Sequence, residues 1–128
     1  MREILFRGKQ IDNGKWVEGY LICDREHYGK PDHHSYIVNH HHPSGCFGRD
    51  VYIEVDPSTV GQYTGLNDRN GVRIFEGDII FVPRLEKVYE VKYQRGQYCI
   101  GINQPIAYER HSCEVVGNIH DNPELLEV

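Results

Sequence analysis

The chain has 128 residues, of which 39% are hydrophobic, and a formal net charge of −5. This length usually gives one domain or two very small ones. Because no run of about 18 apolar residues occurs, we expect neither a membrane-spanning helix nor a membrane partner. The short apolar run at the start does not resemble a signal peptide, so we expect a cytoplasmic protein.

The balance of charges and the spacing of the cysteines narrow the class of protein further. Fourteen basic residues face 19 acidic ones, which argues against general binding to a phosphate backbone. The four cysteines are widely and irregularly spaced, so we expect reduced thiols, with Cys23, Cys99 and Cys113 serving as small hydrophobic residues.

The first third of the chain contains hairpin signals. A short strand over residues 4–7 precedes Asn13-Gly14, a pair that favours a type I′ hairpin turn. The following segment, residues 16–23, alternates in the manner of a strand but carries apolar residues on both faces. We therefore expect this strand to be central in its sheet or packed on both sides.

The middle of the chain adds two strands, a helical turn and a second hairpin. Residues 36–38 and 51–55 have strand composition, and Asp56-Pro57 suits the start of a single helical turn. Asn70-Gly71 then predicts a hairpin that joins residues 62–64 to residues 72–75.

The last part of the chain, residues 77–119, contains five candidate strands, one of them over residues 88–93. Asn122-Pro123 predicts a terminal helical turn. The sequence therefore indicates an all-β protein: an N-terminal β-hairpin unit with a histidine-rich loop over residues 1–76, and a small SH3-like barrel over residues 77–128. The two parts are expected to be tightly associated, and a single domain is the alternative.

The histidine-rich loop is the first candidate site. In an extended segment His40 and His42 share a face, Cys46 lies close in sequence, and Asp32, His33 or His34 is available as a further ligand. These side chains suit zinc, but no recognised zinc spacing is present. We favour a solvated loop and no cofactor, with a zinc site and a metal-dependent hydrolase as the alternative.

Nucleophilic catalysis has weaker support. Residues 111–114 are His, Ser, Cys and Glu, but neighbours on a strand point to opposite faces and do not form one constellation. We therefore expect no catalytic residues and no enzyme activity.

The third candidate is a hairpin in which basic and aromatic residues alternate. Lys87, Lys92, Arg95 and Tyr98 match the mixture with which small barrels bind single-stranded nucleic acid. The competing interpretation, which we favour, is that Tyr89, Val91 and Tyr93 form a core face. Nucleic acid is accordingly an alternative partner rather than the favoured one.

The central block, residues 54–80, carries turn chemistry more than active-site chemistry. We expect Asp78 to bond backbone amides of its turn. The motif residues of the block are Gln62, Tyr63, Gly65, Asn70, Gly71, Glu76, Gly77 and Asp78.

This block, together with residues 2–9, 12–19 and 115–126, resembles the YopX family of small proteins encoded by bacteriophages and prophages. His120 stands where an aromatic residue is common in that family. The resemblance implies an all-β fold and supplies no catalytic residue. We interpret the protein as an accessory binding module for an unknown host or phage protein or for itself, with a homo-oligomer expected.

Overall fold

The computed structural model describes residues 4–23, 34–39, 51–94, 96–100, 104–106 and 112–126. Its regular elements are antiparallel strands and single 3-10 turns, so the predicted all-β class is confirmed. The strands are β1 (Phe6–Lys9), β2 (Trp16–Cys23), β3 (Ser35–Asn39), β4 (Val51–Val55), β5 (Gly61–Asn67), β6 (Arg73–Phe75), β7 (Asp78–Val82), β8 (Lys87–Glu90), β9 (Lys92–Gln94), β10 (Gln97–Ile100), β11 (Gln104–Pro105) and β12 (Glu114–Asn118). The 3-10 turns are Pro57–Thr59, Pro83–Leu85 and Pro123–Leu126. None of the helices in these ranges is long and apolar enough to cross a membrane.

The chain divides into two compact units, residues 3–62 and residues 63–128, and the division falls within β5. The domains expected from the sequence, 1–76 and 77–128, tightly associated or forming one domain, stay a prediction. The SH3-like barrel likewise stays a prediction.

The first unit is an antiparallel sheet in the order β4-β3-β2-β1, with the start of β5 on the far side of β1. β2 pairs on both edges, as its composition predicts. The inner face of the sheet buries Val17, Ile37, Ile53 and Val55. Burying side chains of this kind stabilises a fold by about 1.5–3 kcal/mol each, so they provide the core of this unit.

Backbones in this unit approach so closely that β2 needs a residue without a side chain. A Cβ added at Gly19 would lie 2.2 Å from the Val38 carbonyl oxygen and 2.9 Å from a methyl carbon of Ile37. Gly19 is therefore required by the close pairing of β2 and β3 over the core.

The β1–β2 hairpin is confirmed, but the type I′ turn is wrong. That turn needs a positive φ at both central residues, and here Gly14 has φ 69° whereas Asn13 does not have a positive φ. The Asn13 Oδ1 instead accepts the Lys15 N–H at 2.9 Å, and Gln10 donates to the Lys15 carbonyl at 2.9 Å. The loop is thus wider than a two-residue turn.

The sheet of the first unit curls back on itself. Gln10 forms a bridge with Val55, and the Asp56 N–H donates to the Lys9 carbonyl at 2.8 Å. The Asp56 side chain accepts the Ser58 N–H at 3.0 Å, which confirms the predicted capped turn at Pro57–Thr59. The end of β1 therefore covers part of the outer edge of β4.

The second unit contains the β5–β6 hairpin and two three-stranded sheets, in the orders β12-β7-β8 and β11-β10-β9. The hairpin joining β5 to β6 and the terminal turn at Pro123–Leu126 are both confirmed. The core of this unit consists of Ile74, Ile80, Val82, Val91, Tyr98, Ile100, Ile106 and Cys113.

One predicted strand of the second unit is wrong. Residues 88–93 are not continuous, because the chain leaves one sheet at Val91 and enters the other. The Val91 N–H donates to the Asp78 carbonyl at 2.8 Å, and the Gly77 N–H donates to the Val91 carbonyl at 3.0 Å. Val91 is fully buried, whereas Tyr93 is 55% exposed. The expected core face of Tyr89, Val91 and Tyr93 is therefore not formed as one face.

Candidate functional site

The predicted metal ligands His33, His40, His42 and Cys46 lie outside the described residues, and the metal site stays a prediction. Within the ranges that the structure describes, no group of three or more His, Cys, Asp or Glu side chains is arranged to hold a metal ion. His34 lies in these ranges, and its Nδ1 is 2.5 Å from the Glu54 Oε2.

The residues of the predicted nucleic-acid site occupy different environments. Lys87 and Lys92 are exposed, whereas Tyr98 is buried in the core of the second unit. Tyr98 meets Tyr93 edge-on, with ring centroids 5.0 Å apart. Arg95 lies outside the described residues. Nucleic-acid binding stays a prediction, and Tyr93 rather than Tyr98 presents exposed ring surface.

The first three motif residues lie on β5 and are explained by strand pairing, side-chain packing or backbone conformation. They are Gln62, Tyr63 and Gly65. Gln62 pairs with Phe6 between β5 and β1. In the second unit the Tyr63 hydroxyl donates to the Asn67 Oδ1, and the ring packs against Phe75 with centroids 5.5 Å apart. Gly65 has φ 86° and lies where the register between β5 and β6 shifts. This backbone conformation explains the glycine at position 65.

Asn70 and Gly71 form a turn that is organised by Asp68, a residue to which the sequence analysis gave no role. The Asp68 Oδ1 accepts the N–H groups of Asn70 and Val72 at 2.8 and 2.9 Å. Its Oδ2 accepts the N–H of Val115, at the start of β12, at 2.9 Å. Asp68 thus binds its own hairpin and a strand 47 residues away.

The electrostatics of Asp68 agree with this role. Burial of the carboxylate would raise its pKa, but the N–H groups of Val115, Val72 and Asn70, together with the nearby charge of Arg69, outweigh burial. The pKa of Asp68 is therefore lower than its ordinary value, because three donors favour the ionised form. An Asp followed two residues later by Asn-Gly is the sequence signal that indicates such a turn.

The motif at residues 76–78 is a tight turn in which Gly77 has φ 91°. Asp78 is buried, and its Oδ2 accepts the Phe75 N–H at 2.7 Å. This is the kind of contact that we expected for Asp78. Glu76 is partly buried in the same turn. The turn delivers the chain into β7, which lies at the centre of its sheet.

The most unusual surface is the outer face of the sheet in the first unit, hereafter the outer face. Its apolar members are Tyr20 and Ile22 on β2, Tyr36 and Val38 on β3, and Tyr52 on β4. Tyr20, Ile22 and Tyr52 are 54%, 43% and 62% exposed. The solvent side of an antiparallel sheet is normally polar, so this face departs from the usual pattern.

Register explains how these side chains form one surface. Tyr20 lies opposite Val38, and Val38 lies opposite Tyr52, so the three form a row across β2, β3 and β4. Directly opposite side chains have Cβ atoms about 4.5–5.5 Å apart, within contact range. Val38 is only 5% exposed although it belongs to the outer face.

Fold and contacts together define a small all-β protein, in which Tyr63 and Asp78 make hydrogen bonds within the fold and Gly65 and Gly77 have positive φ. The YopX protein family matches residues 5–127, so the chain belongs to that family and the predicted resemblance is confirmed. The chain is similar to the crystal structure of protein EF1440 from Enterococcus faecalis, with a TM-score of 0.58 and 24% sequence identity. The similarity covers 98% of this chain and 99% of that one, and it shows the fold alone. No curated protein matches the sequence.

Proposed function

We propose that this protein is a phage- or prophage-derived accessory binding module that acts in the bacterial cytoplasm and has no catalytic activity. The outer face binds the surface of another protein molecule. The observation that carries the proposal is the exposure of Tyr20 and Ile22 on β2 and of Tyr52 on β4, the two strands that flank β3.

The composition of the outer face favours a protein as the ligand. Tyrosine supplies a large contact area and a polar hydroxyl while losing few rotatable bonds on binding, and it is enriched in interfaces for that reason. Strand β2 also lies in the middle of its sheet, and its Tyr20 and Ile22 lie opposite Val38 and Tyr36 of β3, so both side chains project from a paired backbone. Such a preorganised surface limits the entropy that binding costs.

The proposal is tested by photocrosslinking in the bacterial cells that carry the gene. A photoreactive phenylalanine derivative replaces Ile22, at the margin of the face, or Val72, which is 48% exposed in the second unit and serves as the control position. We expect a discrete protein adduct from position 22 and none from position 72.

The adduct must also depend on the chemistry of the face. Tyr20→Thr and Tyr52→Thr keep good strand formers at exposed positions, so we expect folding stability to change by less than about 0.5 kcal/mol. In the protein that carries the photoreactive residue at position 22, each of these two variants is expected to abolish the adduct, whereas Val72→Thr leaves it intact. Equal adducts from positions 22 and 72, no adduct at all, or an adduct that survives both tyrosine variants refutes the proposal.

A further inference from the structure

The chain contains two Asn-Gly pairs, Asn13-Gly14 and Asn70-Gly71, and each pair lies in an exposed turn. In such a pair the backbone nitrogen of the glycine can attack the side-chain carbonyl carbon of the asparagine, because glycine has no Cβ to hinder the approach. A Cβ added at either glycine would meet nothing within 4 Å, so both turns are open to solvent on that side. Since the two pairs have the same local chemistry, the contacts around them decide which one reacts.

The contacts that hold Asn13-Gly14 are short-range. The Gly14 N–H donates to the Gln10 carbonyl at 2.9 Å. The Asn13 Oδ1 accepts the Lys15 N–H at 2.9 Å, and the Asn13 Nδ2 donates to the Gln10 Oε1 at 3.3 Å in a contact exposed to solvent. These bonds all lie between residues 10 and 15, so a local opening of the loop releases the Gly14 nitrogen while the sheet stays paired.

The second pair is tied to a distant strand. The Gly71 N–H donates to the Asp68 carbonyl at 3.0 Å. The buried side chain of Asp68 accepts the N–H groups of Asn70 and Val72, which flank Gly71. The same carboxylate accepts the N–H of Val115 on β12. An opening of this turn therefore breaks charge-assisted hydrogen bonds, which are roughly twice as strong as neutral ones, and it also disturbs the contact with β12.

We propose that Asn13 is a site of spontaneous deamidation and that the bonds of Asp68 protect Asn70 from the same reaction. The Gly14 nitrogen attacks the Cγ of Asn13 and loses its proton to water. The C–N bond of the side-chain amide breaks, so ammonia leaves and a five-membered succinimide remains. Water then opens the ring at either carbonyl and gives aspartate or isoaspartate at position 13. The inference concerns this loop alone and does not depend on the proposed function.

The two products change the loop in different ways. Aspartate keeps a side-chain oxygen that accepts the Lys15 N–H, so we expect the loop to persist with one more negative charge. Isoaspartate carries the main chain through Cγ, which lengthens the loop by one carbon atom and turns the present acceptor into a main-chain carbonyl. The bond from the Gln10 N–H to the Lys15 carbonyl at 2.9 Å should then weaken. The Gln10 amide should therefore exchange faster in the isoaspartyl form than in the aspartyl form.

The test is peptide mapping by mass spectrometry while the folded full chain is incubated at mildly alkaline pH. The mass gained when an amide becomes an acid reports deamidation at each pair, and synthetic peptides with aspartate or isoaspartate identify the products by retention time. We expect Asn13 to react at least about tenfold faster than Asn70, because the turn at Asn70 must first break charge-assisted bonds. The chain unfolded in urea is the matched control. There the two pairs should react within about threefold of each other, because only weak residual structure remains.

Asp68→Asn tests the source of the protection. In the folded chain this variant should raise the rate at Asn70 at least about tenfold and leave Asn13 unchanged, because the turn loses its charged acceptor and its bond to β12. Trypsin cleaves after Arg69, so the new amide at position 68 and Asn70 fall in different peptides. Glu114→Gln is the matched control. It removes the 2.8 Å ion pair between Arg69 and Glu114 and should leave both rates unchanged, because an exposed pair contributes little to stability.

Three results would overturn the inference. Comparable rates at the two pairs in the folded chain, or a faster reaction at Asn70, would show that Asp68 gives no selective protection. An Asn13 that stays intact in the folded chain while the unfolded chain is fully converted would show that the loop itself prevents the reaction. An unchanged rate at Asn70 in Asp68→Asn would remove the carboxylate as the protecting group. None of these results bears on the crosslinking experiment, so the proposed function stands or fails separately.

Discussion

Replacing Asp68 with asparagine is the sharpest test of how the second unit is held together. The substitution keeps the shape of the side chain but removes its charge and one of its two acceptor oxygens. If the asparagine Oδ1 keeps the bonds from Asn70 and Val72, its Nδ2 points at the Val115 N–H. Two donors then face each other where a carboxylate accepted a bond of 2.9 Å.

The cost follows from that geometry. A hydrogen bond to a charged group contributes about 1.5–3 kcal/mol, and a buried donor left without a partner costs about 1–3 kcal/mol. The two contributions overlap, because both concern the Val115 N–H. We therefore expect Asp68→Asn to lower the free energy of unfolding of the second unit by about 3 kcal/mol at pH 7.

The effect has a defined pH dependence. The pKa of Asp68 is lower in the folded chain than its ordinary value, so ionised Asp68 stabilises the fold. That contribution is fully present above the unfolded pKa of about 3.9, and it is lost as the pH falls through the folded pKa. The difference in stability between wild type and Asp68→Asn should be constant from pH 7 to about pH 5 and should narrow as the pH approaches 3.

Urea unfolding followed by circular dichroism measures the stability, and amide exchange at Val115 reports the local contact. Glu114→Gln is the control, because it removes a salt bridge of 2.8 Å to Arg69 between exposed or half-buried side chains. The control should cost less than about 1 kcal/mol. A loss below about 0.5 kcal/mol for Asp68→Asn at pH 7 would contradict the assigned role, and so would a difference that is unchanged at pH 3.

Further predictions concern the glycines, a buried hydroxyl and the two alternative sites. Gly19→Ala should destabilise the first unit by at least about 2 kcal/mol in thermal melts, since its Cβ meets a backbone carbonyl, whereas Gly14→Ala, at φ 69° in open space, should cost about 1 kcal/mol. Thr64→Val should cost about 1–2 kcal/mol in urea unfolding, because the buried Ile74 carbonyl loses a donor at 2.8 Å; an unchanged midpoint would contradict this. Protein purified without nickel resin should contain sub-stoichiometric zinc by mass spectrometry, and one zinc per chain would instead support the metal-dependent alternative. Mixed single-stranded oligonucleotides should show no salt-sensitive binding, whereas affinity that falls steeply with salt and with Lys87→Ala would favour the nucleic-acid alternative.

The local elements were predictable wherever short-range chemistry determines them. Asp56 before Pro57 specifies its helical turn because the carboxylate accepts an amide two residues ahead, a contact that needs no distant partner. Asn70-Gly71 and the residues flanking it likewise specify the β5–β6 hairpin through contacts between near neighbours in sequence. The type of the first turn was not predictable, because Asn13 uses its side chain rather than a positive φ to complete the loop.

Features set by distant contacts were not predictable. The break at Val91 depends on backbone bonds to Gly77 and Asp78, and no residue near Val91 in sequence signals it. Strand β2 has apolar residues on both faces. Alternation alone does not say which of the two faces becomes buried against the rest of the unit. The position of Asp68 is visible in the sequence, whereas its bond to Val115 requires the tertiary fold.

The segments that resemble the family and the residues of the outer face have different roles. This difference bears on function. Gly65, Gly77 and Asp78, which lie in those segments, are tied to positive φ or to buried bonds, so substitutions there should act on stability first. Tyr20 and Tyr52 lie just outside the segments, and more than half of each side chain is exposed, so substitutions there should act on association with little effect on folding. A framework held by turns and buried bonds can therefore carry a different binding surface on the same strands. This separation of stability from association explains how membership of a family specifies the fold of this chain, whereas the proposed association depends on residues outside the segments that carry the family resemblance.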